Sequence, residues 1–201
     1  MWVDRQIERR LRTLARQRPV VVVTGARQVG KSSLVARLFP KHSSVTLDLP
    51  SEAEQAEKDP ARFLERHPPP LVVDEVQYAP ALFRHLKLRV DAARKRYGAF
   101  ILTGSQKLAL MQSVAESLAG RAEIVDLEGL SYAEIRGAYP KMGVEAVAVR
   151  GFFPELYENP DLDAVGFHRS YVTTYLERDL RSQLNVTSLR DFERFVRACA
   201  L

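Results

Sequence analysis

The eight residues Gly25-Ala26-Arg27-Gln28-Val29-Gly30-Lys31-Ser32 constrain this chain more than any other stretch of it. They fit the spacing G-x-x-x-x-G-K-[ST] at every specified position, and their surroundings fit as well. The apolar run Pro19-Val20-Val21-Val22-Val23-Thr24 before them reads as a buried strand, and Ser33 to Phe39 after them reads as a helix that stops at Pro40. A loop between a strand and a helix N-terminus turns backbone N–H groups toward one point and makes a nest for a polyphosphate. The glycines let the backbone come close. Lys31 is expected to reach the β/γ-phosphates, and Ser32 to offer its hydroxyl to Mg²⁺. The expected nucleotide-contacting set is Gly25, Ala26, Arg27, Gln28, Val29, Gly30, Lys31, Ser32 and Ser33, with Arg27 turned to solvent or the ribose side.

The remaining elements alternate between strand and helix, which argues for a parallel sheet covered on both faces. A helix over about 3–17 leads into the first strand at 20–24. Ser44 to Leu49 reads as a second strand, and the polar stretch 50–66 as helical pieces restarted at Asp59-Pro60. Pro68-Pro69-Pro70 breaks the chain before a third strand, Leu71-Val72-Val73-Asp74. The stripe Leu82, Leu86, Val90, Ala93 predicts a helix over 81–96. Ala99 to Thr103 and Ala122 to Leu127 complete five strands. Beyond Arg150 the pattern becomes aromatic and helical: Phe167, Tyr171 and Tyr175 recur every four residues, and Leu189, Phe192, Phe195 or Val196, and Cys199 form another apolar stripe. The last residues, Ala198-Cys199-Ala200-Leu201, lie in an apolar helix face, so a chain that continues past them is expected.

The second chemistry-bearing motif is Leu71-Val72-Val73-Asp74-Glu75. A buried strand ending in Asp-Glu places two carboxylates at the C-terminal edge of the sheet, where ligands bind in such folds. Asp74 is expected to hold Mg²⁺, and Glu75 to orient or deprotonate the water that attacks the γ-phosphate. If the strand ending in Thr103-Gly104-Ser105 inserts between the loop strand and the Asp74 strand, Thr103 or Ser105 can sense that phosphate or hold the water, with Gln106 a lesser candidate. Arg121 is the cation outside the loop best suited to the developing phosphate charge, in cis or from a neighbouring subunit. Asp48 reads as a cap for the helix that follows it. His42, His67, His85 and His168 have no spacing for a shared metal.

Thirty Lys and Arg stand against twenty-five Asp and Glu, a net charge of +5 that permits a polyanionic partner without requiring one. Arg94-Lys95-Arg96 reads as a solvated helix end, and Arg9, Arg10, Arg12, Arg16 and Arg18 as the wet face of the first helix, behind an apolar stripe of Val3, Ile7, Leu11 and Leu14, with a nucleic-acid patch as the alternative reading of those arginines. No apolar run approaches the ~20 residues that span a bilayer. Met1-Trp2-Val3-Asp4-Arg5-Gln6 has no signal-peptide pattern, and the single Cys199 excludes an internal disulfide, so a cytoplasmic setting is expected. There Asn185-Val186-Thr187 carries no glycan, Trp2 reads as an anchor for the first helix, and Cys199 as a core residue.

With these pieces placed, the chain resembles the prokaryotic AAA-superfamily ATPases that carry a C-terminal domain of unknown function. The resemblance rests on the loop and on Leu71 to Gln77, Leu102-Thr103-Gly104-Ser105, Ser117-Leu118-Ala119-Gly120-Arg121, Leu130-Ser131-Tyr132-Ala133-Glu134 and Tyr175-Leu176-Glu177-Arg178-Asp179-Leu180. It implies an α/β P-loop NTPase three-layer sandwich. Its five-stranded parallel sheet would carry an extra central strand between the strand of the phosphate loop (Walker A) and that of Asp74 (Walker B). The ATPase domain would span 1–140, and a helical extension 141–201 would lead into the unknown domain. One departure is Gly151-Phe152-Phe153-Pro154-Glu155, where the family has a second glycine. The function expected is Mg²⁺-dependent ATP hydrolysis driving a conformational switch on a protein or DNA partner, with self-association open and no membrane. A nucleotide-binding switch with little hydrolysis is the alternative; a small-molecule kinase is disfavoured because no arginine-bearing lid is evident. Adenine is preferred over guanine because Asn-Lys-x-Asp is absent.

Overall fold

Val20, Val21, Val22 and Val23 are all fully buried, and so is Thr24. Successive residues of a strand point to opposite faces, so an unbroken buried run needs cover on both sides. In the computed structural model, which describes residues 2–176 together with Asp191, Arg194, Phe195, Ala198 and Cys199, that cover is present. Val20 and Val22 join one core cluster, while Val21 and Val23 join a second on the opposite face.

The sheet has five parallel strands, β1 (Val20–Thr24), β2 (Ser43–Thr46), β3 (Leu71–Asp74), β4 (Phe100–Gly104) and β5 (Ala122–Asp126), in the order β2-β3-β4-β1-β5. Thus β4 does insert between the loop strand and the Asp74 strand. On one face lie α3 (Pro50–Lys58), α4 (Pro60–Arg66), α5 (Leu82–Ala92) and α6 (Lys107–Ser117); they bury Ala56, Phe63, Phe83, Leu86 and Val114 against Phe100 and Leu102. On the other lie α1 (Glu8–Ala15) and α2 (Lys31–Leu38), contributing Leu11, Leu34, Val35 and Leu38 against Val72 and Ile101. Each fully buried aliphatic side chain contributes about 1.5–3 kcal/mol of transfer free energy.

A third cluster joins Val3 and Leu130 to residues of α7 (Tyr132–Ala138), α8 (Val144–Arg150) and α9 (Glu155–Glu158), so a shared core crosses residue 140. Val3 therefore packs apart from Leu11, and the first helix is shorter than its periodicity predicts. It starts at Glu8 because the Glu8 carboxylate accepts from the Arg5 backbone N–H at 3.2 Å while the Arg5 side chain turns inward. The helix predicted over 81–96 stops at Ala92, and Arg94, Lys95 and Arg96 fall in a turn that brings the Gly98 N–H onto the Arg18 carbonyl at 2.8 Å. Asp59 caps α4 at the expected restart, accepting from the Arg62 N–H at 3.1 Å. The N-cap of α3 is Leu49, which leaves Asp48 one residue ahead of it.

In α10 (Ala164–Tyr171), Phe167, His168 and Tyr171 all pack their rings against Phe153, and Arg37 lies over the Trp2 ring at 4.9 Å. Cys199 is exposed, not a core residue, and Phe195 is exposed too. The expectations for Glu177 to Leu180, Asn185, Leu189, Phe192 and Val196 lie outside the described residues. Among the described residues no helix is long and apolar enough to cross a membrane.

Candidate nucleotide-binding site

The loop after β1 follows the path its glycines permit. Gly25 has φ 147°, and a Cβ there would collide with the Leu127 carbonyl where the chain leaves β5. Gly30, at φ 89°, is the N-cap of α2, so the first turn of that helix opens directly onto the loop. Lys31 is 5% exposed, and its ammonium donates back across the loop to the carbonyls of Gly25 at 3.0 Å and Ala26 at 2.7 Å. Ala26, Gln28, Ser32 and Ser33 are exposed, Arg27 is half-buried, and Val29 is held in the core.

The parallel register brings the second motif to the same edge. Val73 pairs with Leu102 and Val23 with Thr103, so the ends of β3, β4 and β1 stand side by side. The Ser32 hydroxyl donates to both oxygens of Asp74, at 2.8 and 2.9 Å. Two hard oxygen donors in contact, a hydroxyl and a carboxylate, suit Mg²⁺. Thr103 is fully buried; its hydroxyl donates to Asp74 and accepts from the Glu75 N–H at 3.3 Å. That hydroxyl therefore holds Asp74 and the backbone of Glu75 and does not face the open edge.

Glu75 is 9% exposed and adopts a left-handed backbone, φ 55°. Its Oε2 accepts from the Ser105 hydroxyl at 2.9 Å, from the Ser105 N–H at 3.2 Å, and from the Gln77 side-chain amide. Gln77 lies in the 3₁₀ turn Val76–Tyr78, which folds its amide back toward the carboxylate two residues earlier. Its own Oε1 is buried without a partner. Gly104 leaves room for that amide: a Cβ at Gly104 would sit 2.5 Å from Gln77 Oε1. Gln77 was present in the motif but carried no assigned role in the sequence, because its function depends on this turn. Gln106 is the N-cap of α6.

Arg5 was likewise missed. Its side chain is 6% exposed and donates to the carbonyls of Val29, Glu128 and Gly129 at 3.0, 2.7 and 3.0 Å, and it pairs with Glu134 at 3.3 Å. Glu134 also completes a capping box with Ser131 on α7. These partners are remote in the chain, so no local pattern signals them. Together they tie the loop to the start of the C-terminal helices. From the far side, the Tyr171 hydroxyl meets the Arg27 carbonyl at 3.4 Å, and Pro154 lies 3.7 Å from where a Gly30 Cβ would be. A cleft of about 370 Å³ remains beside the loop, lined by Trp2, Val3, Gln28, Ser33, Leu130 and Pro154 among others.

Arg121 is not brought to this site. It precedes β5, whose first residue pairs with the first residue of β1, so it stands at the opposite edge of the sheet. Its guanidinium grips Asp91 with two hydrogen bonds, 2.8 and 2.9 Å, and thereby holds the Asp91 carboxyl below its ordinary pKa. A cis role on the phosphate is corrected by this placement; the arginine locks α5 to the start of β5. Among the described residues no group of His, Cys, Asp and Glu side chains could hold a metal on its own.

A parallel sheet whose loop strand is separated by one strand from the strand ending in Asp-Glu, with the glycine loop capping a helix, defines a P-loop nucleoside triphosphatase fold. The profile of the AAA domain family matches residues 17–136, and the chain belongs to that family. Residues 141–201 match a domain of unknown function, DUF8612. An uncharacterised protein of Mycobacterium tuberculosis and one of Mycobacterium bovis are each 32% identical over 179 residues, which cover 88% of this chain. The chain spans only 39% of the length of those curated relatives. A Walker-type ATPase of Pyrococcus abyssi shares the fold, with a TM-score of 0.60 at 17% identity over 90% of this chain and 77% of that one.

Proposed function

We propose that the protein binds ATP with Mg²⁺ and hydrolyses it, and that occupancy of the loop is passed to its C-terminal helices. The observation that carries this reading is the contact of Ser32 with Asp74, with Glu75 next in the chain at the same edge. The loop N–H groups and the α2 N-terminus would hold the phosphates, and Lys31 would exchange its carbonyl partners for phosphate oxygens. Ser32 and Asp74 would hold Mg²⁺, which when bound neutralises charge on the β- and γ-phosphate oxygens. Thr103 keeps Asp74 in place.

Glu75 takes a proton from the attacking water as the water oxygen bonds to the γ-phosphorus. The bond from that phosphorus to the bridging oxygen breaks, ADP leaves, and Glu75 returns its proton to solvent. Ser105 and Gln77 engage one carboxylate oxygen and so orient the other. The cleft beside the loop is the natural place for the base and ribose, with Trp2 and Leu130 as apolar surface. Arg5, Tyr171 and Pro154 supply contacts between loop and helices through which phosphate-dependent ordering can travel.

The three donors on Glu75 Oε2 also favour a second reading, a nucleotide-binding switch whose carboxylate is held back from water. Calorimetric titration with Mg–ATP, followed by assay of free phosphate, separates these cases. Binding lost in Lys31→Ala, with free phosphate released by the wild type, is the result expected. Binding that survives Lys31→Ala would refute the loop assignment, and binding without phosphate release would support the switch.

A further inference from the structure

In a parallel sheet every strand begins at the same edge, so residues that lead into different strands meet there however far apart they lie in the chain. In this protein three of the five strands are led in by exposed basic residues. Arg16 and Arg18 lead into β1, Lys41 into β2, and Arg94, Lys95 and Arg96 into β4; all six are exposed. Read from the sequence, Arg94-Lys95-Arg96 is a solvated helix end and Arg16 and Arg18 belong to the wet face of the first helix. The fold joins them: the Gly98 N–H bonds the Arg18 carbonyl at 2.8 Å, and the Gly98 carbonyl meets His42 Nε2 at 2.9 Å.

Among the described residues the carboxylates that pair with this cluster are Asp91, engaged by Arg121 and by Arg94 at 3.2 Å, and Glu123, 3.5 Å from Arg18. They neutralise only part of it. Tyr97, next to Arg96, is 52% exposed and offers a ring amid the cations. The acidic groups of the nucleotide site, Asp74 and Glu75, sit at the other edge, a full strand length away.

We propose that this strand-start edge docks the phosphate backbone of a nucleic acid. Arginine forks match phosphate oxygens in pairs, and release of condensed counterions drives such binding. A base exposed beside the backbone can stack on Tyr97, which favours a single strand. The surface is independent of the nucleotide chemistry proposed above, so either can fail alone.

The test is fluorescence anisotropy of a labelled single-stranded oligonucleotide of about 20 nucleotides, titrated with the chain between about 50 and 200 mM salt. The wild type is expected to bind, with log K falling linearly against log salt at a slope of about −3 for four phosphates contacted. The triple variant Arg94→Glu/Lys95→Glu/Arg96→Glu should lose at least tenfold in affinity and flatten that slope by about two to three. Because Arg96 also donates to the Pro69 carbonyl, a second variant, Arg16→Glu/Lys41→Glu, tests the surface through other strand starts and should lose severalfold. Mg–ATP affinity is expected to be unchanged in both. No binding by the wild type, or binding unaltered in the second variant, would overturn the proposal. Binding to phosphatidylserine vesicles in place of the oligonucleotide would overturn it as well.

Discussion

Glu75 combines three unusual features: burial, a left-handed backbone and a carboxylate oxygen that serves three donors. A non-glycine residue held there costs about 1–3 kcal/mol and persists only where its neighbours fix it. Thr103 fixes its backbone, and Ser105 and Gln77 fix its side chain. Ser105→Ala and Gln77→Leu are each expected to lower kcat for ATP about tenfold with KM nearly unchanged, because the γ-phosphate and its contacts stay as they were. Steady-state kinetics would contradict this if KM rose and kcat held. Asp74 and Glu75 were legible in the sequence because an apolar run ending in two acids needs no long-range information. Gln77 was not, since only the turn Val76–Tyr78 aims its amide. Thr103 lies at the expected edge, where its hydroxyl is engaged with Asp74 and the Glu75 N–H.

At the scale of elements, the loop is held by a short segment that precedes the first helix. Arg5→Leu removes the buried cation from three carbonyls and leaves the Glu134 carboxylate, 6% exposed, without it. A loss of about 3–5 kcal/mol in chemical unfolding is expected, and a loss under about 1 kcal/mol would show that water replaces the guanidinium. Gly104→Ala places a methyl 2.5 Å from Gln77 Oε1 and 2.9 Å from Leu110 Cδ2. It should cost about 1–3 kcal/mol by overpacking, and lower kcat as well by shifting the Gln77 amide.

Four of the five strands were readable to within a residue, because continuous apolar runs bounded by turn residues suit a doubly covered strand, whereas β2 ends at Thr46 and leaves Leu47 to Leu49 of its expected span outside it. Helix ends were less so: α1 begins late and α5 ends early where Arg5 and Gly98 make contacts far along the chain. Ser131 and Glu134 form a local capping box, yet the same Glu134 takes part in holding Arg5, which nothing nearby announces.

Over the whole molecule, parallel topology sorts the chemistry by edge. Strand ends gather Asp74, Glu75 and the phosphate loop, while strand starts gather arginines that the sequence shows only as scattered groups. The cis role for Arg121 failed for the same reason, since its edge is decided by topology and not by its neighbours. Ligand linkage gives a global readout: Mg–ATP at about 100 times its Kd should add about 2.7 kcal/mol and raise Tm by about 5–10 °C. Lys31→Ala should show no such rise; an equal rise would mean that the nucleotide binds elsewhere.

Hydrolysis through Glu75 is tested most directly by phosphate release from Mg–ATP in the wild type and in Glu75→Gln, with ATP affinity measured on both. Steady turnover by the wild type is expected, with a fall of about 10²–10⁴ in the variant at unchanged affinity. Equal rates in the two proteins, or tight binding with no turnover in either, would contradict it.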